Sequence, residues 1–72
     1  MENLKIETYR ASKTGLISVY ILSNESLEIN KAIDFLSHNY TNHENCELIE
    51  ESEPSVAQHY GYKYCVVFHD AE

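Results

Sequence analysis

The sequence predicts a small α+β domain of ββαββ order: a four-stranded, largely antiparallel sheet with one main helix packed on one of its faces. Three observations carry this. Residues 23–40, SNESLEINKAIDFLSHNY, hold the one long helical pattern in 72 residues. The runs before and after it alternate between apolar and polar residues as strands do. Strands that cluster around a single helix pack as layers of an α+β fold.

The helix follows from spacing. At about 100° per residue, Ile29, Ala32, Ile33, Leu36 and Tyr40 share one stripe, with Phe35 on its flank, and Lys31, Asp34 and His38 lie opposite. Ser23 suits an N-cap, because its hydroxyl can accept an unpaired N–H of the first turn. Leu22 and Leu27 then stand at the positions of a hydrophobic staple. Glu25 and Glu28 complement the positive end of the helix dipole. Asn39 or Asn42 is suited to a left-handed C-terminal cap.

The strands come in order. Residues 4–10 alternate, with Leu4, Ile6 and Thr8 on one face and Lys5, Glu7 and Tyr9 on the other. Residues 11–15 form a turn, with Gly15 free to take a positive φ, and residues 16–22 return as the second arm of a hairpin. Residues 46–51 form a short acidic strand suited to an edge, where like charges discourage pairing with other chains. Pro54 opens a short helix over residues 55–60 that Gly61 stops. Residues 62–69 form the last strand.

Residues 54–61, PSVAQHYG, resemble the stretch that precedes the last sheet hairpin of thioredoxin-like proteins. That resemblance implies an alternative, reduced thioredoxin-like βαβ arrangement in which the main helix crosses between parallel strands. Asn24-Glu25-Ser26-Leu27 stands where the redox Cys-x-x-Cys of that family would be, and no proline precedes the last strand. Thiol–disulfide chemistry therefore does not follow from the resemblance.

Composition bounds the function. A chain of 72 residues makes a single small domain, residues 1–72, that buries only about 60% of the surface its unfolded state exposes. Twelve acids against five bases give a net charge of −7, unevenly spread. Residues 1–13 hold three bases and two acids; the remainder holds two bases and ten acids. Direct binding to nucleic acid needs a basic patch that this sequence lacks. No apolar stretch approaches the ~20 residues needed to cross a bilayer, and no signal-peptide pattern opens the sequence. The expectation is a cytoplasmic protein whose Cys46 and Cys65 remain reduced thiols.

The residues that carry chemistry elsewhere are not arranged for it here. His43 and Cys46 have an acceptable spacing for zinc, but Cys65 and His69 lie about 13 Å apart along an extended strand. A catalytic cysteine needs a histidine held by a third group, and a paired-carboxylate site needs an apolar pocket to split the two pKa values. Gly15 and Gly61 are isolated, so no phosphate-cradling loop exists. We therefore expect no enzyme, no cofactor and no metal.

One face of the sheet is left over. The helix stripe should meet Leu4, Ile6, Ile17, Val19, Ile21, Leu48, Val66 and Phe68. Alternation puts Glu7, Tyr9, Ser18, Tyr20, Glu47, Ile49, Glu51, Cys65 and Val67 on the opposite face, with no chain remaining to cover them. A tyrosine-bearing, partly apolar face marks a partner site. Glu7, Tyr9, Tyr20, Glu47, Ile49 and Glu51 are the expected partner-binding residues, with carboxylates steering a partner of basic surface. In size, charge and lack of a catalytic signature the chain resembles the small inhibitors that phages and mobile elements aim at nucleic-acid-handling enzymes. That resemblance implies an acidic protein–protein interaction module, with nucleic-acid mimicry as its mode. The alternatives are a homodimeric accessory protein that packs this face against itself and a degenerate thioredoxin-like redox domain.

Overall fold

The structure, a computed structural model, describes residues 4–71. In chain order the elements are β1 (Leu4–Arg10), β2 (Ile17–Ser23), α1 (Ile29–Asn39), a 3-10 turn (His43–Asn45), β3 (Cys46–Glu50), α2 (Pro54–His59) and β4 (Tyr64–Asp70). The strands form one sheet in the order β1-β2-β4-β3, and each neighbouring pair is antiparallel. The α+β architecture with one main helix is thus as the sequence predicts, and α2 forms where Pro54 and Gly61 bound the expected short helix. No helix of the described residues is long and apolar enough to cross a membrane.

The topology corrects the thioredoxin-like alternative. β2 and β3 run in the same direction, because each is antiparallel to β4, but β4 lies between them. The crossover through α1 therefore joins two strands that never touch. The hairpin of β1 and β2 is closed by Ala11 N–H to Leu16 O at 2.9 Å and Gly15 N–H to Ala11 O at 2.8 Å. Gly15 holds φ +75°, a conformation that costs other residues a Cβ clash.

The helix is shorter than its sequence pattern. Ser23 is not its N-cap: it is the last residue of β2, buried, and opposite both Leu4 and Tyr64 in the ladder. Its hydroxyl accepts Glu25 N–H at 3.0 Å and donates to Glu25 O at 2.8 Å, which turns the chain away from the sheet. The ladder bonds on both sides of Ser23 outcompete a helical start there. α1 opens instead at Ile29, with Ala32 N–H bonded to Glu28 O at 3.0 Å. Leu22 points to the face opposite α1, so the expected staple with Leu27 does not form. Tyr40, in extended backbone, closes the other end in place of a left-handed asparagine. Ala32 and Leu36 are buried as spacing predicts, whereas Ile33 is 45% exposed.

The sheet is covered on both faces. On one side Val19, Ile21, Val66 and Phe68 pack beneath Ala32 and Leu36 of α1. On the other, Leu22, Cys65 and Val67 pack beneath Ala57 of α2, with Tyr20, Val56, Tyr60 and Tyr62 at the margin. The expectation of a bare second face is therefore corrected. Six residues suffice because α2 is strapped at each end to its own surroundings. Glu53 N–H bonds Cys65 O of β4 at 3.0 Å, and Tyr62 N–H bonds Ala57 O at 2.8 Å. Leu22, fully buried under α2, contributes about 1.5–3 kcal/mol by removal from water.

A polar clasp ties α1 to the end of β4. Asp70, 2% exposed, accepts Tyr40 O–H at 2.6 Å and Asn42 Nδ2–H at 3.4 Å. The short bond is charge-assisted, and such bonds contribute about 1.5–3 kcal/mol because a buried carboxylate left without its donor is costly. Tyr40→Phe should lower the free energy of unfolding in urea by about that amount with an unchanged slope. Asn42→Ala, which removes a longer contact, should cost less. A Tyr40→Phe variant as stable as the parent would show that the clasp holds nothing.

Candidate functional site

Ladder register sets out the α2 face as three rows. Lys5, Leu22 and Cys65 form the first; Glu7, Tyr20, Val67 and Glu50 the second; Tyr9, Ser18, His69 and Glu47 the third. α2 covers Leu22 and Cys65 of the first row and Val67 of the second, whereas Lys5, Tyr9 and Glu47 are exposed and Ser18 and His69 are half-buried.

Along the side of α2, a groove of about 250 Å³ opens between the helix and the sheet, lined by Tyr9, Tyr20, Ser55, Val56, His59 and Tyr60. The rings of Tyr20 and Tyr60 lie 5.9 Å apart at 47°, and His59 meets Tyr60 edge-on at 5.0 Å and 90°. Aromatic contacts of this geometry are favourable and hold the rings in place. Tyr9, 57% exposed, forms the outer lip. Burial, then the Glu7 carboxylate, with Tyr20 and Cys65 adding, pushes the Tyr60 hydroxyl above its ordinary pKa of 10.0, so it stays protonated and able to donate. Glu7 itself lies 3.3 Å from Lys5 Nζ.

Three of the sequence-predicted residues converge here: Tyr9 and Tyr20 line the groove, and Glu7 flanks it. Glu47 shares their face but sits on β3, roughly 14 Å from β1 across two intervening strands. Ile49 and Glu51 are displaced. Ladder pairing shifts between Leu48 and Glu50, so Ile49 is the extra residue of a bulge and Glu50 takes the place opposite Val67. Glu51 lies past the end of β3. Val56, His59 and Tyr60 are groove residues that strand alternation cannot find. The signal for them is the unbroken apolar run Cys65-Val66-Val67-Phe68, which marks a strand buried on both faces.

The thiols are not set up for nucleophilic chemistry. Cys65 is 2% exposed, and burial, with Glu53 adding to it, pushes its pKa to about 11. Cys46 is raised by burial and by Asp70. The reactive form of cysteine is the thiolate, which both environments disfavour. Among the described residues no group of three or more His, Cys, Asp or Glu side chains is arranged to hold a metal ion. Comparison of the chain with protein-family models, with curated proteins and with solved structures finds no match.

Burial of Cys65 has a measurable pH signature. Below pH 9, the ordinary value, folded and unfolded chains both keep the thiol proton and the contribution of the neutral thiol is whole. Between pH 9 and about 11 the unfolded chain releases that proton while the fold retains it, so stability falls as pH rises. The loss should reach about 2–3 kcal/mol in urea unfolding. In Cys65→Ala this portion of the alkaline slope should vanish; an identical slope in both proteins would refute the assignment.

Proposed function

We propose that this chain is a small acidic protein–protein interaction module that engages the basic surface of a protein partner through the tyrosine groove. The observation that carries the reading is the joining of an exposed tyrosine, Tyr9, to the held Tyr20–Tyr60 pair, on a face whose remaining polar positions include Glu7, Glu47 and Glu50. Held rings offer large apolar contact with little rotamer entropy left to lose, and tyrosines are enriched among binding hot spots. The carboxylates steer a cationic partner and set its register. Among basic partners, a nucleic-acid-handling protein fits best, since its binding surface carries the lysines and arginines that a face of carboxylates complements. Occupying that surface would make the chain an inhibitor.

The redox alternative loses its support, given the antiparallel sheet and the buried, alkaline Cys65. Tyr9→Ala removes an exposed ring and should leave the fold intact, yet weaken partner binding by about 30-fold if Tyr9 is a hot spot. Capture from lysate should deliver a protein with a basic surface, held at low salt and released at high salt. A partner retained equally at both salts and by Tyr9→Ala would overturn the reading.

A further inference from the structure

The two edges of the sheet are built differently. β3 is short, bulged at Ile49 and faces its neighbours with Glu47 and Glu50, all devices that blunt an edge against pairing. β1 has seven residues, pairs without irregularity over its whole length with β2, and contains no proline. Among the described residues no strand pairs with its outer side. Alternate residues of β1 therefore turn their N–H and C=O groups outward along a regular strand. This edge is also where the acidic chain is least acidic, since residues 4–13 carry Lys5, Arg10 and Lys13 against Glu7.

We propose that two copies of this chain join through their β1 edges, antiparallel, with Ile6 on the two-fold axis, to make a continuous eight-stranded sheet. Charge complementarity fixes both the occupant and the register. Opposed residues in an antiparallel pair lie on one face, and Lys5 and Glu7 both lie on the α2 face. Centring on Ile6 places Lys5 opposite the second copy's Glu7, and Glu7 opposite its Lys5. Each copy already holds Lys5 Nζ 3.3 Å from Glu7, so the joined edges form a ring of four alternating charges. On the other face Ile6 meets Ile6 and Leu4 meets Thr8, which continues the α1-side apolar layer. Centring on Glu7 would set carboxylate against carboxylate, and centring on Lys5 would set ammonium against ammonium.

One open edge and one blunted edge make the association close at two copies instead of running on as a fibre. The pairing does not rest on the groove reading, though it bears on it. Both α2 faces turn to the same side, and the two Tyr9 side chains lie about 20 Å apart, three residues from the axis in each copy. A partner with two basic patches at that separation would be held by both grooves.

Light scattering after size-exclusion chromatography tests the proposal. The parent chain should run at twice its 8.3 kDa mass. Lys5→Glu gathers four acids at the seam and Glu7→Lys gathers four bases, so each should weaken self-association by about tenfold or more while keeping its circular dichroism spectrum. Mixed in equal amounts, the two variants should associate, because every seam contact is then between opposite charges. The charge-swapped Lys5→Glu/Glu7→Lys chain should dimerise with itself. If either reversal disturbs the fold, Lys5→Gln and Glu7→Gln replace it, with a smaller loss expected. A parent chain that stays monomeric at its highest soluble concentration, or a mixture that fails to associate, would overturn the proposal. So would a dimer indifferent to both reversals and lost in Tyr9→Ala, which would place the contact at the groove.

Discussion

The fold depends on one strand being buried from both sides. β4 lies between β2 and β3, with Val66 and Phe68 turned to α1 and Cys65 and Val67 turned to α2. A strand in that position supplies the ladder to both neighbours and the floor of both apolar layers. It comes last in the chain, so β2 and β3 have no shared ladder until β4 is inserted between them. Formation of the sheet's second half therefore waits on contacts distant in sequence, between residues 17–23 and 64–70. The Asp70 clasp then fixes the far end of the same strand to the chain that leaves α1.

The groove is a consequence of the unequal size of the two helices. α1, at 11 residues, is about 16 Å long, whereas α2, at six, is about 9 Å. Four strands span roughly 14 Å between outer strand axes, so the shorter helix covers the middle of its face, over Leu22, Cys65 and Val67, and not the margins. Tyr60, at the end of α2, meets Tyr20, while Tyr9 and Glu47 at the two ends of the next row are exposed. An aromatic side chain at the margin of a covering helix has apolar neighbours on one side and solvent on the other. Tyrosine suits that position because its ring packs and its hydroxyl stays hydrated.

The strands and the main helix were legible because period and composition agree there: β-branched residues alternate in β2, and the stripe from Ile29 to Leu36 repeats at helical spacing. The start of α1 was not, because Ser23 satisfies a capping rule and a strand end equally well, and the choice is made by Leu4 and Tyr64 pairing on either side. The bulge at Ile49 was also beyond reach, since nothing in Cys46-Glu47-Leu48-Ile49-Glu50 marks the extra residue. One such residue reverses the face of all that follow, which is why Glu50 stands opposite Val67, the place expected for Ile49. The short helix is legible as an element but not as a cover. Its apolar contacts, Val56, Ala57 and Tyr60, gain meaning only beside the double-sided run of β4.

Charge gives the two proposals a common origin. A chain of net charge −7 repels its own copies wherever its acids gather, so the proposed self-association falls on the stretch where bases offset them. That stretch is β1, which also carries Tyr9 and flanks the groove with Glu7. Lys5 neutralises Glu7 locally, and a second copy's Lys5 would do so further. On the α2 face, the carboxylates of β3, Glu47 and Glu50, lie at the side of the sheet away from the seam. On this view the same face divides its labour: attraction begins at the acidic edge, and the apolar contact that lasts is made at the tyrosines.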